Sequence, residues 1–599
     1  MAEVLKENDL PVSIEVKING SVLSGTVEII SVAVTWEINR IAQASLKLSD
    51  GGVFGLENEP FTNSASSDFV PGNEIELNLG YGDERSLSFK GLVTGQRLVV
   101  RRDTSYLLVT CKHKAFTLTK SRSNQVLKDS KDDDLFSQLI TNAGLTADVE
   151  AASQYSYPLF QYNSSDWDYL IIRAEVNNFF VLTDQDKVSV KAIDVSGTPE
   201  YAIQADLTVL DVDLELSGEN TFPDFNFSSW DPKTQQKISV NASMSDPSSI
   251  SNLTAQKIAG DLSVPGVKKF TSAPVSMEEL TSFSKSWISK SALSKIQGKI
   301  TLLGTNKLKP GDLVDLKNFG ERYNGKAFIS KIEQDCSEGD WKTRLYIGMQ
   351  SRWHSSLPDV EEEDGLGLLP GVKGTHLAKV KQIHEDKDGE YRVLVELGAF
   401  QNDSNSNELW ARLACNYASK DAGFFFFPEI GDEVLLTFVN GDPRFPVIIG
   451  SLYSSTLKPK FEPDEKNSTK AIHSKSGIAL IFNEEDKILT IQTPGGNTVV
   501  LDDKEKKISI KDANSNEAIF ADSGIQLSSP KDIVLDAKGK IGLKAVSGIS
   551  MQASGGDLTG KGLNVSLEAD ISMKAKGSAS AEFSAAGQTA VKGAMVMIN

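Results

Sequence analysis

From Gly524 onward the chain falls into units of eight residues: GIQLSSPK, DIVLDAKG, KIGLKAVS, GISMQASG, GDLTGKGL, NVSLEADI, SMKAKGSA, SAEFSAAG and QTAVKGAM. The second place of the unit holds Ile525, Ile533, Ile541 and Ile549, then Val565; the fourth holds Leu527, Leu535, Leu543 and Met551, then Leu567. Asp557 and Thr559 interrupt the register in the fifth unit, and the residues shrink toward the end. A fixed short repeat is the mark of a solenoid. Past Pro530 there is no further Pro and Phe583 is the only aromatic, which suits a straight rod of short strands and tight Gly turns. Eight residues at about 3.3 Å each are too few to circle a core alone. One octad per chain can supply one face, so three chains wound together would close a three-sided prism. These ten apolar residues would face its axis, with Lys, Asp and Ser toward water. The geometry predicts an obligate homotrimer with an intertwined triple-stranded β-helix at its C-terminal end.

The rest of the chain is ordinary globular material. At 599 residues it predicts three to five domains. No run approaches the roughly 18 apolar residues of a membrane span; the densest is Phe424-Phe425-Phe426-Phe427. The first residues carry neither a basic nor an apolar leader segment, so synthesis in a bacterial cytoplasm without a signal peptide is expected. Cys111, Cys336 and Cys415 are odd in number and far apart, which fits reduced thiols rather than a disulfide scaffold. A net charge of -19 argues against nucleic acid as a partner, because phosphate neutralisation needs a basic face. From Gly524 on, eight Lys face six Asp/Glu, so the acidity lies entirely before the repeat.

Strand alternation runs through Val12, Ile14, Val16, Ile18, then Val32, Val34, Trp36, Ile38, and again Ile75, Leu77, Leu79. Helices are predicted at 132–143, with Asp132, Asp133 and Asp134 complementing the helix dipole, and at 165–176. A third opens on the capping box Ser276-Met277-Glu278-Glu279. The acidic stretch Glu361-Glu362-Glu363-Asp364-Gly365 reads as a solvated linker. Five short strands between 375 and 455 predict a closed barrel of the OB type, since closure removes exposed edges.

Three motifs then carry a family resemblance. Phe160-Gln161-Tyr162-Asn163-Ser164-Ser165-Asp166-Trp167 with Arg173-Ala174-Glu175 is similar to a hub segment. Gly431-Asp432-Glu433-Val434-Leu435, running into Phe438, Gly441-Asp442-Pro443, Pro446 and Gly450, resembles a barrel signature. Thr493-Pro494-Gly495-Gly496-Asn497 with Val500-Leu501-Asp502-Asp503 is similar to a neck. In this order they resemble the VgrG-like hub–spike proteins of type VI secretion, contractile phage tails and extracellular contractile injection systems. The resemblance implies a mainly β chain: an α+β hub at 1–357 like phage late control protein D, with barrel-like subdomains near 12–120 and 300–350. A linker at 358–374, an OB-fold barrel at 375–455, a β-rich neck at 456–523 and the octad spike at 524–599 would follow. It implies a structural role, as a trimeric puncturing device that links an Hcp-like inner tube and baseplate proteins to a PAAR-repeat tip protein. Effector cargo, assembly into an injection particle, delivery outside the producing cell and contact with a target membrane only on puncture belong to the same reading. The tip protein would dock on Val596, Met597, Ile598 and Asn599. The His-x-His that binds iron in some phage spikes is missing, so no metal is expected.

Catalytic readings fare poorly. Gly555–Lys561 has P-loop spacing, but Gly562 follows where Ser or Thr should bind Mg²⁺. The five histidines are scattered and no nucleophile motif is present, so no catalytic residue and no cofactor is expected. The alternative is a spike with polysaccharide- or peptidoglycan-degrading activity, which needs paired carboxylates on one face. Of the rod's carboxylates only Asp536 and Glu568 share an octad place, four units apart.

Overall fold

A computed structural model describes residues 2–6, 10–52, 61–102, 104–128, 131–152, 158–245, 250–398 and 407–598. The chain is mainly β, with 40% strand and 12% helix. It divides into two units, Met1–Leu452 and Tyr453–Asn599.

The first unit is built on a fourteen-stranded sheet that encloses two apolar cores. One packs Val16, Val34, Leu46, Ile75, Leu77, Phe89 and Val109 from strands between Val12 and Lys112. The other packs Ile203, Ile300, Val314, Ile332 and Leu345. It reaches back to Tyr201–Gln204 and Ile296–Leu303 for strands that the barrel-like stretch near 300–350 does not contain. The long strand Gly325–Ser337 serves both cores: Ile332 lies opposite Trp36 on one side and Leu345 on the other. Alternation works because side chains on a strand point to opposite faces in turn.

Four helices are described: α1 Asp132–Asn142, α2 Asp166–Val176, α3 Ala255–Asp261 and α4 Met277–Leu293. The dipole account of Asp132 needs correction. Its side chain is fully buried and takes two hydrogen bonds from the Arg173 guanidinium of α2, at 3.0 and 2.8 Å, and one from Asn177 at 2.7 Å. Arg173 also reaches Glu279 of α4 at 2.7 Å. The capping box is therefore half made. Ser276 accepts the Glu279 N–H at 3.2 Å, while the Glu279 carboxylate is drawn to Arg173 instead of folding back on the cap. Beside this cluster, buried Lys290 of α4 donates to Glu175 of α2 at 2.6 Å.

A closed five-stranded barrel completes the unit, formed by His376–Gln382, Val393–Leu397, Glu408–Leu413, Pro446–Ser451 and Glu433–Phe438. Val380, Val395, Ala411, Val434, Leu436 and Ile448 fill it. Gly431 enters the fourth strand in sequence at φ +99, a conformation that favours glycine, and its N–H bonds Val380 O at 2.9 Å. The acidic linker is clamped at both ends rather than loose. Arg122 donates to the carbonyls of Asp359 and Val360 at 2.8 Å each, and Val372 N–H bonds Gly441 O at 2.7 Å. Glu361 and Glu363 stay exposed, so the charge faces water while the backbone is held.

The second unit opens with seven antiparallel strands in a meander, from Thr469–His473 to Gly524–Ser528. The first octad thus belongs to the neck sheet, not to the rod. Among described residues beyond Ser528 no strand is formed. The expected short strands of the rod are absent from a single chain, because an octad has no neighbouring segment of its own chain to bond.

Glu279 generates a test. Arg173 gives Asp132 two hydrogen bonds and Glu279 one, so Glu279 is the less compensated carboxylate. Burial, and then the charge of Asp132, push its pKa up to about 7. The folded state holds a proton there that the unfolded state releases near its usual 4.5, so ionisation costs stability as pH rises between these values. Relative to the wild type, Glu279→Gln is expected to gain up to about 3 kcal/mol of hub stability from about pH 5 to about pH 8. Thermal unfolding of both proteins across this range checks it; a constant difference refutes it.

Candidate functional site

The neck sheet is the feature that organises the second unit's surface. Cross-strand register lines up two rows on one face. The first runs Leu480, Ile491, Val499, Ile510, Ala518, Leu527, and the second Phe482, Leu489, Leu501, Ile508, Phe520, Ile525. Every member is apolar. The row between them, on the opposite face, is Ile481, Thr490, Val500, Ser509, Ile519 and Gln526, half of it polar. No element of the unit covers the apolar face: Ile491, Ile510 and Phe520 are all more than two-fifths exposed. Ile491, Val499, Ile510, Ala518 and Leu527 line a concavity of about 610 Å³, which Ile533 also lines.

The sequence-derived residues join this face at its end. Ile525 lies opposite Phe520 and Leu527 opposite Ala518, so both belong at once to the sheet and to the octad pattern. Ile533, Leu535, Ile541, Leu543, Ile549, Met551, Val565 and Leu567 have no covering partner within the chain; all ten candidates are 52% to 74% exposed. Val596, Met597 and Ile598 are likewise exposed, at 48%, 84% and 89%. Asn599 lies outside the described residues. Sequence reading missed the neck rows, although part of their signal was present: strands such as Lys507-Ile508-Ser509-Ile510-Lys511 alternate.

The hub motif has a chemistry that can be judged by its order. Ser165 caps α2, accepting the Asp168 N–H at 3.1 Å, and its hydroxyl bonds the Asp168 carboxylate. That carboxylate meets His354 Nε2 at 2.8 Å. Burial works against the Asp168 charge, but hydrogen bonds from His354 and Ser165 outweigh it and hold its carboxyl below the usual range. An activated serine needs the imidazole between itself and the acid. Here the acid stands in the middle, so no base faces the hydroxyl and the trio fixes the helix start instead. Gln161 explains the neighbouring part of the motif: its amide donates to Asp166 at 2.8 Å and its carbonyl accepts from Gln125 at 2.5 Å. Among the described residues, no three or more His, Cys, Asp or Glu gather as a metal site. Gly555–Lys561 has no helix behind it among the described residues, so its backbone offers no phosphate cradle.

Comparison with known proteins agrees with this division. Residues 8–338, more than half the chain, match the family described as the Alg8 N-terminal domain, and residues 376–453 match the type VI secretion system/phage-baseplate injector OB domain. The type VI secretion system spike protein VgrG1a of Pseudomonas aeruginosa is 28% identical over 156 residues, 23% of this chain and 24% of its own. The actin cross-linking toxin VgrG1 of Vibrio cholerae is 28% identical over 120 residues, 19% of this chain and 11% of its own. The matched region thus spans less than a quarter of the length of either curated relative. The 43 kDa tail protein of prophage MuSo2 from Shewanella oneidensis aligns with a TM-score of 0.44 at 11% identity, over 57% of this chain and 99% of its own. The chain belongs to the Alg8 N-terminal domain family and carries, in the barrel that follows that domain, the type VI secretion system/phage-baseplate injector OB domain through which it is VgrG-like.

Proposed function

We propose that three copies of this chain assemble into the hub and puncturing spike of a contractile injection machine, with no catalytic step of their own. The observation that carries this reading is the unbroken apolar line from the neck rows into the octads, which one chain leaves in water. The chain exposes 37619 Å², whereas a folded monomer of this mass exposes about 20,500 Å². Burying an Ile or Leu side chain contributes about 1.5–3 kcal/mol. Over the ten octad residues in three chains the gross gain reaches tens of kcal/mol, enough to offset the ordering of an extended segment. Two copies would leave one side of each sheet open; three close a prism. The hub would seat on an Hcp-like inner tube and baseplate proteins, with effector cargo carried by the same particle and delivered outside the producing cell. No helix among the described residues is long and apolar enough to cross a membrane. Degradation of polysaccharide or peptidoglycan would need facing carboxylates, and Asp536 and Glu568 are four octads apart.

Light scattering of the full-length chain is expected to give three times 65.0 kDa. Leu535→Asp or Leu543→Asp would bury three like charges near one axis, each costing several kcal/mol, so assembly should fail; Lys538→Asp should be tolerated. A stable monomer at micromolar concentration, or trimers unaffected by Leu543→Asp, would overturn the reading.

The exposed segment Met595–Ile598 is proposed to bind a PAAR-repeat tip protein by strand extension and apolar contact. Full-length chain should retain such a protein in a pull-down, and a chain truncated after Gly593 should lose it. Equal capture by both would sink the tip assignment.

A further inference from the structure

We infer that the hub carries two unpaired sheet edges of opposite charge, which join one copy of this chain to the next head to tail. The inference rests on the threefold reading above and names surfaces that would close the ring at the hub.

The first edge lies on the strand Glu84–Val100. Its first half, to Leu92, pairs with Glu74–Tyr81, and Val93 still bonds the backbone of Gly72 and Asn73. From Gly95 to Val100 its one strand partner among the described residues is Ser105–Lys112, on its other side. Arg97 and Leu98 are exposed there, and Arg101 and Arg102 follow in the exposed turn. None of these three arginines forms an ion pair among the described residues. In a chain of net charge -19 this is an exceptional concentration of unspent positive charge, even with Asp103 next in sequence.

The second edge is the strand Val209–Leu216, which pairs only with Ile296–Leu303. Leu210 and Val212 are exposed on it. Asp211 meets Lys299 at 3.5 Å, while Asp213 and Glu215 have no ion pair among the described residues. This edge is eight residues long, negative and partly apolar.

A free edge presents unpaired N–H and C=O groups and is a template for another strand. Like charge prevents either edge from pairing with its own copy. Unlike charge favours the basic edge on the acidic one, where guanidinium forks match carboxylates and Leu98 meets Leu210 or Val212. Joining two different surfaces of identical chains is a heterologous contact, and such contacts propagate around a ring until it closes. The same strand addition satisfies backbone groups on both edges.

Hydrogen exchange on the full-length protein tests this, with light scattering on the same sample. In the trimer, amides of Gly95–Val100 and Val209–Leu216 that lack an intrachain partner should exchange about a hundredfold slower than amides in exposed turns. Reversing the basic edge with Arg97→Asp, Arg101→Asp and Arg102→Asp should abolish that protection, as should Asp211→Arg, Asp213→Arg and Glu215→Arg on the acidic edge. Reversing both edges together should restore it. Unchanged protection of core strand Glu74–Tyr81 shows that each variant is folded. A trimer whose two edges exchange freely, or whose protection survives a single-edge reversal, overturns the edge pairing and leaves the threefold spike standing. A monomer by light scattering overturns the threefold reading, and the ring with it.

Discussion

Water exclusion from a single line of apolar side chains is what the second unit depends on. Along a strand, side chains alternate between faces with a period of two, so a five-residue strand offers two apolar positions to one side. Six of the seven strands place Leu480 and Phe482, then their successors, in two rows that end on Leu527 and Ile525. The octads continue the same spacing, with apolar residues two apart and the next pair six residues further on. The strand Gly524–Ser528 satisfies both patterns. The chain can therefore pass from backbone pairing within itself to a stretch with no internal pairing, without turning its apolar residues outward. A one-residue slip at that point would reverse the whole face, which gives the positive-φ Gly524 at the preceding turn a structural role.

The first unit solves the same problem within one chain. Its two cores are covered by strands drawn from distant parts of the sequence, and its barrel closes on itself through a parallel contact between Arg412 and Val447. The helices pack on strands through apolar side chains, and a polar cluster joins them to one another. Asp132, Arg173 and Glu279 link α1, α2 and α4, and Glu175 receives both Lys290 and the N–H of His354. Buried ion pairs of this type add little net stability, but removing the shared cation Arg173 would strand Asp132 and Glu279 together and cost several kcal/mol. They fix one arrangement of three helices against alternatives that apolar packing alone would tolerate. The hub motif around Gln161–Ser165 and Arg173–Glu175 is largely the sequence trace of this cluster.

Much of this architecture was legible in advance because it depends on local chemistry. Five barrel strands lie between His376 and Ser451, inside the predicted stretch 375–455, and α1 ends at Asn142 with Gly144 at φ +68 just beyond. The alternation at Val12–Ile18 and Glu74–Tyr81 became paired strands with Val16, Ile18, Ile75, Leu77 and Leu79 inside. Two of the failures share one cause, which is sequence distance. Asp132 meets a residue 41 positions away, and Arg173 one 106 positions away. Arg122 holds carbonyls more than 230 positions on. No spacing rule reveals such partners, so neither the Arg173 bonds to Asp132 nor the clamp on the solvated linker was legible. The neck rows were missed differently: a strand such as Lys507–Lys511 was visible alone, but the common face exists only once the strands are registered.

Charge divides the chain at another place, inside the second unit. Residues before Gly524 carry a net of -21 and those after it +2, which together make the -19 of the chain. A threefold rod brings equivalent side chains of three copies within a few ångströms of a common axis, and every unbalanced charge meets two of its own kind. At such separations, in the partly dry interior of a prism, like charges repel by several kcal/mol each. A narrow rod therefore needs eight lysines nearly balanced by six carboxylates, and small residues wherever the turns crowd. In the hub, exposed charges find partners within one chain, as Lys90 does with Glu74, Glu76 and Asp186. Acidic excess there serves solubility, and it leaves the arginines at the end of the Glu84–Val100 strand as the exception that an adjoining acidic edge would neutralise. On the threefold reading, the abrupt shift in composition at Gly524 follows from the radius at which three chains would meet.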